Sequence, residues 1–228
     1  MNIVDTMRIL QFGDSMLPVG GFSFSNGLES AIQMGVVHDV PSLRSFVMTA
    51  VQQSSMADGI ALLASHRAAL DNQVDQVFHA DQSLFNRKMN EEMRTMNVRM
   101  GRKLAEISGR VTPGSIMNSW LEAIKKNETP GTYAIGLGIL FAEQGLDEAE
   151  AFAVHRYGVA AMILGASLRL MRIDHFDTQS ILFEVNSMSG EDYERIRDAS
   201  LEDMATFAPV LDVLAAIHVQ SHVRMFMN

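Results

Sequence analysis

At 228 residues the chain has the length of one domain and enough material to bury a sizeable core. Hydrophobic residues make up 47% and charged residues 20%, a balance that excludes a disordered chain. Lys+Arg 18 against Asp+Glu 27 gives a net charge of −9, which disfavours binding a phosphate backbone, and the lack of any cysteine removes disulfides, Cys-ligated zinc, iron–sulfur clusters and thiolate catalysis.

Taken in chain order, the opening residues Met1 to Asp5 lack the basic stretch and apolar run of a secretory signal. A loop then joins two helices: Gln11, then Gly13-Asp14-Ser15-Met16-Leu17-Pro18-Val19-Gly20-Gly21-Phe22-Ser23-Phe24-Ser25-Asn26-Gly27-Leu28-Glu29. The Gly20-Gly21 pair is open to backbone angles closed to other residues, so it can aim Phe22 and Phe24; Ser25 is placed to cap the next helix. From Pro41 to Leu70, Leu43, Phe46, Val47, Ala50 and Val51 fall at helical spacing, and Ile60, Leu63 and Ala64 resume it after Asp58-Gly59.

Asp81 to Ile107 reads as one long amphipathic helix, with Leu84, Phe85, Met89, Met93, Met96, Met100 and Leu104 as its stripe. Pro113 is expected to open a short helix carrying Trp120, Leu121 and Ile124. The apolar stretches Tyr133 to Ala142 and Tyr157 to Leu168 are each shorter than the roughly 20 residues that span a bilayer, and read as buried helices. Asp147 with Glu150 forms a capping-box pattern that starts a helix running towards Arg172. Gly158 and Gly165 share one face of it, which predicts a close-packed neighbouring helix. Ser189 with Asp192 opens another helix, and Pro209 starts the last, running to about Phe226. Strand patterns are missing, so the expected fold is all-α: a single helical domain, 1–228, of about nine or ten helices.

The chemistry-bearing motifs are sparse. There is no GxxxxGK[ST] phosphate loop. Gly13 to Leu17 begins like a nucleophile elbow but lacks the closing glycine and the preceding strand. His218 and His222 lie four apart on one helical face, the spacing of a two-histidine metal clamp, without a nearby third ligand; core or interface histidines is the plainer reading. The methionines between Met48 and Met100 could suggest soft-metal binding, but at helical spacing they read as adaptable core or docking surface. The apolar C-terminus, Val223-Arg224-Met225-Phe226-Met227-Asn228, must be buried in its own fold or in a partner, and docking on a partner is expected.

Together the loop and the tail resemble the UreF family of urease accessory proteins. Gln11, Ser15, Leu17-Pro18, Gly20-Gly21-Phe22 and Ser25-Asn26-Gly27-Leu28-Glu29 are similar to that family's opening signature. Gly101-Arg102-Lys103-Leu104, then Arg169-Leu170 with His175 and Gln179, resemble its middle elements. Phe207-Ala208-Pro209-Val210-Leu211-Asp212 with His218, Arg224 and Phe226 resemble its close. The chain departs from the pattern at Met171, Asp174, Val219 and His222. The resemblance spans essentially the whole chain and implies an all-helical, non-enzymatic protein. It implies a cytoplasmic homodimer that meets the accessory protein UreD (also called UreH), the GTPase UreG and the urease apoprotein, and helps deliver nickel. It also implies no resident metal or cofactor, with nickel only in transit, and a role for these matched residues in partner contacts. Two other classes stand beside it: a helical enzyme using His218, His222 and a carboxylate for metal-assisted hydrolysis, and a GTPase-activating protein unrelated to urease.

Overall fold

Caps written into the sequence set many of the element boundaries. In a computed structural model describing residues 2–206, 208–218 and 225–226, Asn2 caps α1 (Ile3–Gly13), and Asp39 caps α3 (Val40–Ser54) with Pro41 in its first turn. Between them lie a 3₁₀ turn (Gly21–Ser23) and the short α2 (Leu28–Gln33). Helix α4 (Ile60–Leu70) is followed by α5 (Val74–Arg87), α6 (Glu91–Val111), α7 (Ser115–Lys125) and α8 (Tyr133–Glu143). Then come α9 (Glu148–Leu170), α10 (His175–Ser187), α11 (Ser189–Ile196), a second 3₁₀ turn (Leu201–Asp203) and α12 (Pro209–His218). The fold is all-α, with no strand among the described residues. Of the twelve α-helices among the described residues, ten run ten residues or more, in line with the number expected, and α2 and α11 are shorter.

Helix α8 is the hub of the first core. Ala134 to Ala142 are all buried, so the helix has no solvent face and packs against α4, α6, α7 and α9. Its glycines let neighbours approach: a Cβ on Gly138 would fall 2.3 Å from Ser65 Oγ and 2.6 Å from Leu62 O of α4. A second core gathers α2, α3, α10 and α12 around the C-terminal half of α9. Helix α9 contributes to both, with Phe152 in the first and Ile163 and Leu164 in the second. Its start has the expected capping box, with the Asp147 N–H donating to Glu150 Oε2 at 2.9 Å. At 23 residues it is long and apolar enough to cross a membrane by length and composition, longer than the apolar stretch read from sequence, yet 56% of its apolar window is buried in the fold.

Three expectations need correction. The stretch from Asp81 to Ile107 is two helices. Lys88 takes an extended backbone and Asn90 caps α6, its side chain accepting from Met93 N at 2.8 Å. The break turns Lys88 inward, where its ammonium lies 2.5 Å from Asp58 Oδ2. Conversely, Asp58-Gly59 does not interrupt the helix: residues Ser55–Gly59 form a π-turn that joins α3 to α4 without a break. Pro113 precedes rather than opens α7, whose first turn is capped from outside by Glu143 Oε1, accepting from Ile116 N at 2.8 Å.

Fully buried Asp81 ties α5 to α7 and to the turn before α8. Its Oδ2 accepts from Trp120 Nε1, Thr129 Oγ1 and Gly131 N at 3.0, 2.7 and 2.8 Å; its Oδ1 accepts from Thr132 N and Oγ1 at 2.9 and 2.6 Å. Five donors facing one carboxylate leave no place for an amide. Asp81→Asn is therefore expected to destabilise the protein by about 3 kcal/mol or more, because a donor then faces buried donors. Urea denaturation followed by fluorescence of the single tryptophan, Trp120, checks this; a loss below about 1 kcal/mol would refute the assignment.

Candidate functional site

The loop after α1 is built from local turns. Asp14 accepts from Met16 N through its side chain (2.8 Å) and from Leu17 N through its carbonyl (2.9 Å). Gly20 then takes φ +89°, a left-handed conformation that L side chains rarely adopt, whereas Gly21 does not use that freedom. The turn aims the two aromatics apart: Phe24 is buried, while Phe22 is 74% exposed beside exposed Met16 and Pro18. Asn26 and Gly27 both adopt positive φ, and Ser25 Oγ accepts from Glu29 N at 3.4 Å as α2 begins. Buried Leu28 anchors that helix in the second core, and a Cβ on Gly27 would lie 3.7 Å from Leu211 O and Ala215 N of α12.

The buried Glu29 side chain joins the loop to the chain's end. Its Oε1 accepts from Met225 N at 2.8 Å and its Oε2 from Phe226 N at 3.0 Å. Phe226 is buried and lies under the Arg169 guanidinium, whose carbon sits 4.1 Å from the ring centroid. Arg169 also donates through Nη2 to Phe22 O at 2.9 Å. Thus Phe22, Glu29, Arg169 and Phe226, drawn from segments far apart in sequence, meet at one place. Phe226 is satisfied within its own chain, contrary to the expectation of burial in a partner; its neighbour Met225 stays 63% exposed.

Beneath the loop lies a cavity of about 350 Å³, walled by Phe12, Leu17, Gly21, α6, the α9 face from Val154 to Arg169, and Leu211 and Asp212 of α12. Gly158 and Gly165 face it. Apart from α9's own adjoining backbone, no heavy atom lies within 4 Å of where either Cβ would sit, so they open space rather than admit a close-packed helix, as the sequence had suggested. The polar groups of the wall include the Lys88–Asp58 pair, His155, Gln53, Asn97, Asp212 and Arg169. Burial lowers the His155 imidazole, favouring its neutral form. Burial likewise raises the Asp212 carboxyl, against opposing contributions from Lys88 and from the Gln53 side chain bonded to it.

Of the remaining matched residues, several described ones take no part in these contacts. Gly101 is structural: α6 crosses the 131–133 turn there, and a Cβ would fall 2.1 Å from Gly131 O. Arg102 is exposed and pairs loosely with Glu106 at 3.7 Å. His175 and Gln179 are exposed on α10, and Pro209 is the exposed first residue of α12. His218 ends α12; its side chain, with His222 and Arg224, lies outside the described residues, and so does the two-histidine clamp. Among the described residues no group of three His, Asp or Glu is placed to hold a metal ion. Sequence reasoning missed Asp58, Lys88 and His155 as cavity residues. Asp58-Gly59 between two apolar registers and a lysine inside a methionine stripe were the signals available.

The family model for UreF matches residues 37–186. The chain is 54% identical over 222 residues to urease accessory protein UreF 2 of Brucella abortus, covering 97% of this chain and 91% of that protein. The same identity holds for urease accessory protein UreF 1 of Brucella melitensis, over 97% and 92%. Urease accessory protein UreF of Yersinia enterocolitica is 49% identical over 232 residues, covering both chains fully.

The glycines give a two-sided test. Gly158→Ala and Gly165→Ala, whose Cβ atoms enter empty space, should each stabilise by about 0.5–1 kcal/mol through helix propensity. Gly101→Ala should instead cost about 2 kcal/mol or more, because the added carbon meets backbone. Urea midpoints of the three variants compare them directly, and equal shifts would contradict the packing described.

Proposed function

The chain belongs to the UreF family of urease accessory proteins, and from that premise we propose that it is a non-catalytic scaffold for urease maturation, acting in the cytoplasm. In this reading it bridges UreD (UreH) and the GTPase UreG. Nickel is cargo that passes to the urease apoprotein, and its release is coupled to GTP hydrolysis on UreG. The absence of a phosphate loop from the sequence fits a protein that depends on a partner for its nucleotide chemistry.

The observation that carries the reading is the meeting of Phe22, Glu29, Arg169 and Phe226. It fixes the signature loop and the chain end together, and presents Phe22 and Met225 outwards as apolar contacts at its edge. Large exposed apolar side chains set on a rigid frame are what a docking surface requires. UreD is assigned to this region. A homodimer is assigned to α1, where Ile3, Val4, Met7 and Leu10 form one exposed apolar face.

Truncation before His218 is expected to abolish co-purification with UreD, and Glu29→Ala to weaken it strongly while the helical content stays unchanged. Pull-downs with UreD and UreG, repeated with nickel and a non-hydrolysable GTP analogue, measure both partners at once. Intact co-purification of the truncated chain would sink the tail assignment. For α1, Met7→Glu combined with Leu10→Glu should shift the isolated protein from dimer to monomer in light scattering; an unchanged mass would remove α1 from the interface.

A further inference from the structure

Helix α6 turns a basic stripe to solvent. Arg99, Arg102, Lys103, Glu106 and Arg110 share one face of the helix, and all but the half-buried Glu106 are exposed. On α7, Glu122, Lys125 and Lys126 likewise share an exposed face. Only Thr112, Pro113 and Gly114 separate the two helices, so they run antiparallel as neighbours. Where Gly109 passes α7, a Cβ would lie 3.4 Å from both Asn118 Oδ1 and Leu121 Cδ2. About two turns further along the pair, a Cβ on Gly101 would meet Gly131 O at 2.1 Å, and one on Gly131 would meet Ile124 Cδ1 at 2.8 Å. Gly101 and Ile124 therefore reach the same turn. Arg102 and Lys103 come level with Lys125 and Lys126, and the two stripes make one basic face.

This concentration of positive charge runs against the rest of the chain. From Arg99 to Lys126 there are six Lys or Arg against two Glu, while the remaining residues carry 12 against 25 Asp or Glu. The two carboxylates do not neutralise the face. Glu106 is shared by Arg102 at 3.7 Å and Lys103 at 3.2 Å, and Glu122 pairs with Lys125 at 2.7 Å. Arg110 and Lys126 form no ion pair among the described residues. Lys125 and Lys126 at the end of α7, and Arg110 at the end of α6, offset the helix dipoles there. That role does not reach Arg99, Arg102 and Lys103 in the middle of α6.

We propose that this face docks an acidic surface of a protein partner other than the one assigned to the chain end. The proposal rests on the scaffold reading above and gives the scaffold a second face. Helices α6 and α7 bury Leu104 and Trp120 in the first core, whereas Phe226 of the chain end lies in the second. Carboxylates are the fitting chemistry: Arg102 meets Glu106 only at 3.7 Å through Nε, which leaves its terminal nitrogens to a carboxylate from outside. A long polyanion fits less well, because Glu106 and Glu122 interrupt the face and 25 acidic residues surround it. The face exposes no aromatic ring on which bases could stack, since Trp120 is buried. Val111, 55% exposed at its end, is its one large exposed apolar side chain among the described residues, too little to enter a lipid surface.

The test follows association of the full chain with purified UreD, UreG and urease apoprotein by biolayer interferometry, at about 0.05 M and about 0.5 M salt. Arg102→Glu with Lys103→Glu should slow association with UreG or the urease apoprotein about tenfold or more at low salt, and leave UreD unchanged. High salt should close most of that gap. Arg102→Gln with Lys103→Gln removes charge without adding any and should fall between, with thermal melts by circular dichroism confirming that both variants fold. Unchanged rates for all three partners, equal slowing of UreD, or a gap that persists at high salt would overturn the proposal and leave the scaffold reading standing. An unsubstituted chain that binds none of the three would overturn both. Charge-dependent binding to duplex DNA or phosphatidylserine vesicles, with protein binding unaffected, would give the face to a polyanion and overturn this proposal alone.

Discussion

The ion pair between Lys88 and Asp58 joins the two places where the helical pattern is interrupted, and much of the region under the loop follows from it. Both side chains are largely removed from water, at 10% and 5% exposure, so neither charge is tolerable without the other. Reaching Asp58 requires Lys88 to leave the helix, which ends α5 and lets Asn90 start α6 on a new axis. Arg94 holds the break by donating to Lys88 O at 2.8 Å. On the other side, Asp58 is offered by a π-turn, where one extra residue shifts the register of the α3–α4 run. The methionine face of α6 is thereby turned towards α9 across open space.

Around that region the fold is held by groups with no direct part in it. Asp81 locks the turn before α8, the same turn that Gly101 allows α6 to cross at van der Waals distance. Trp120, bonded to Asp81, in turn packs against Gly136 of α8. Helix α9 then carries this rigid half to the second core, where buried Arg156 bonds to Asp192 of α11 and to Val185 O of α10. The signature loop sits between the two cores and is fixed by residues from both.

What was legible in the sequence was whatever local chemistry decides. The capping box at Asp147, the all-round apolar α8 and the left-handed Gly20 follow from neighbours within a few residues. Ser25, Gly27, Leu28 and Glu29 could be singled out as a motif, but not the fact that Glu29 meets residues 196 and 197 positions away. The break at Lys88 was illegible because the methionine stripe keeps helical spacing through it; only the distant Asp58 explains why a lysine turns inward. Gly158 and Gly165 were misread for the same reason. A pair of glycines on one face announces that no side chain is wanted there, and cannot tell a touching helix from an empty space.

Glu29 recognises the chain end through the N–H groups of Met225 and Phe226, not through their side chains. Backbone recognition is blind to residue type, so position 225 is free to vary among all residues but proline, which lacks the donor. The outward-facing side chain can therefore be exchanged without disturbing the anchor that presents it. At position 226 the ring under Arg169 removes that freedom. Two consecutive residues thus meet opposite physical constraints on a shared carboxylate, one bound through its backbone alone and one also through its ring.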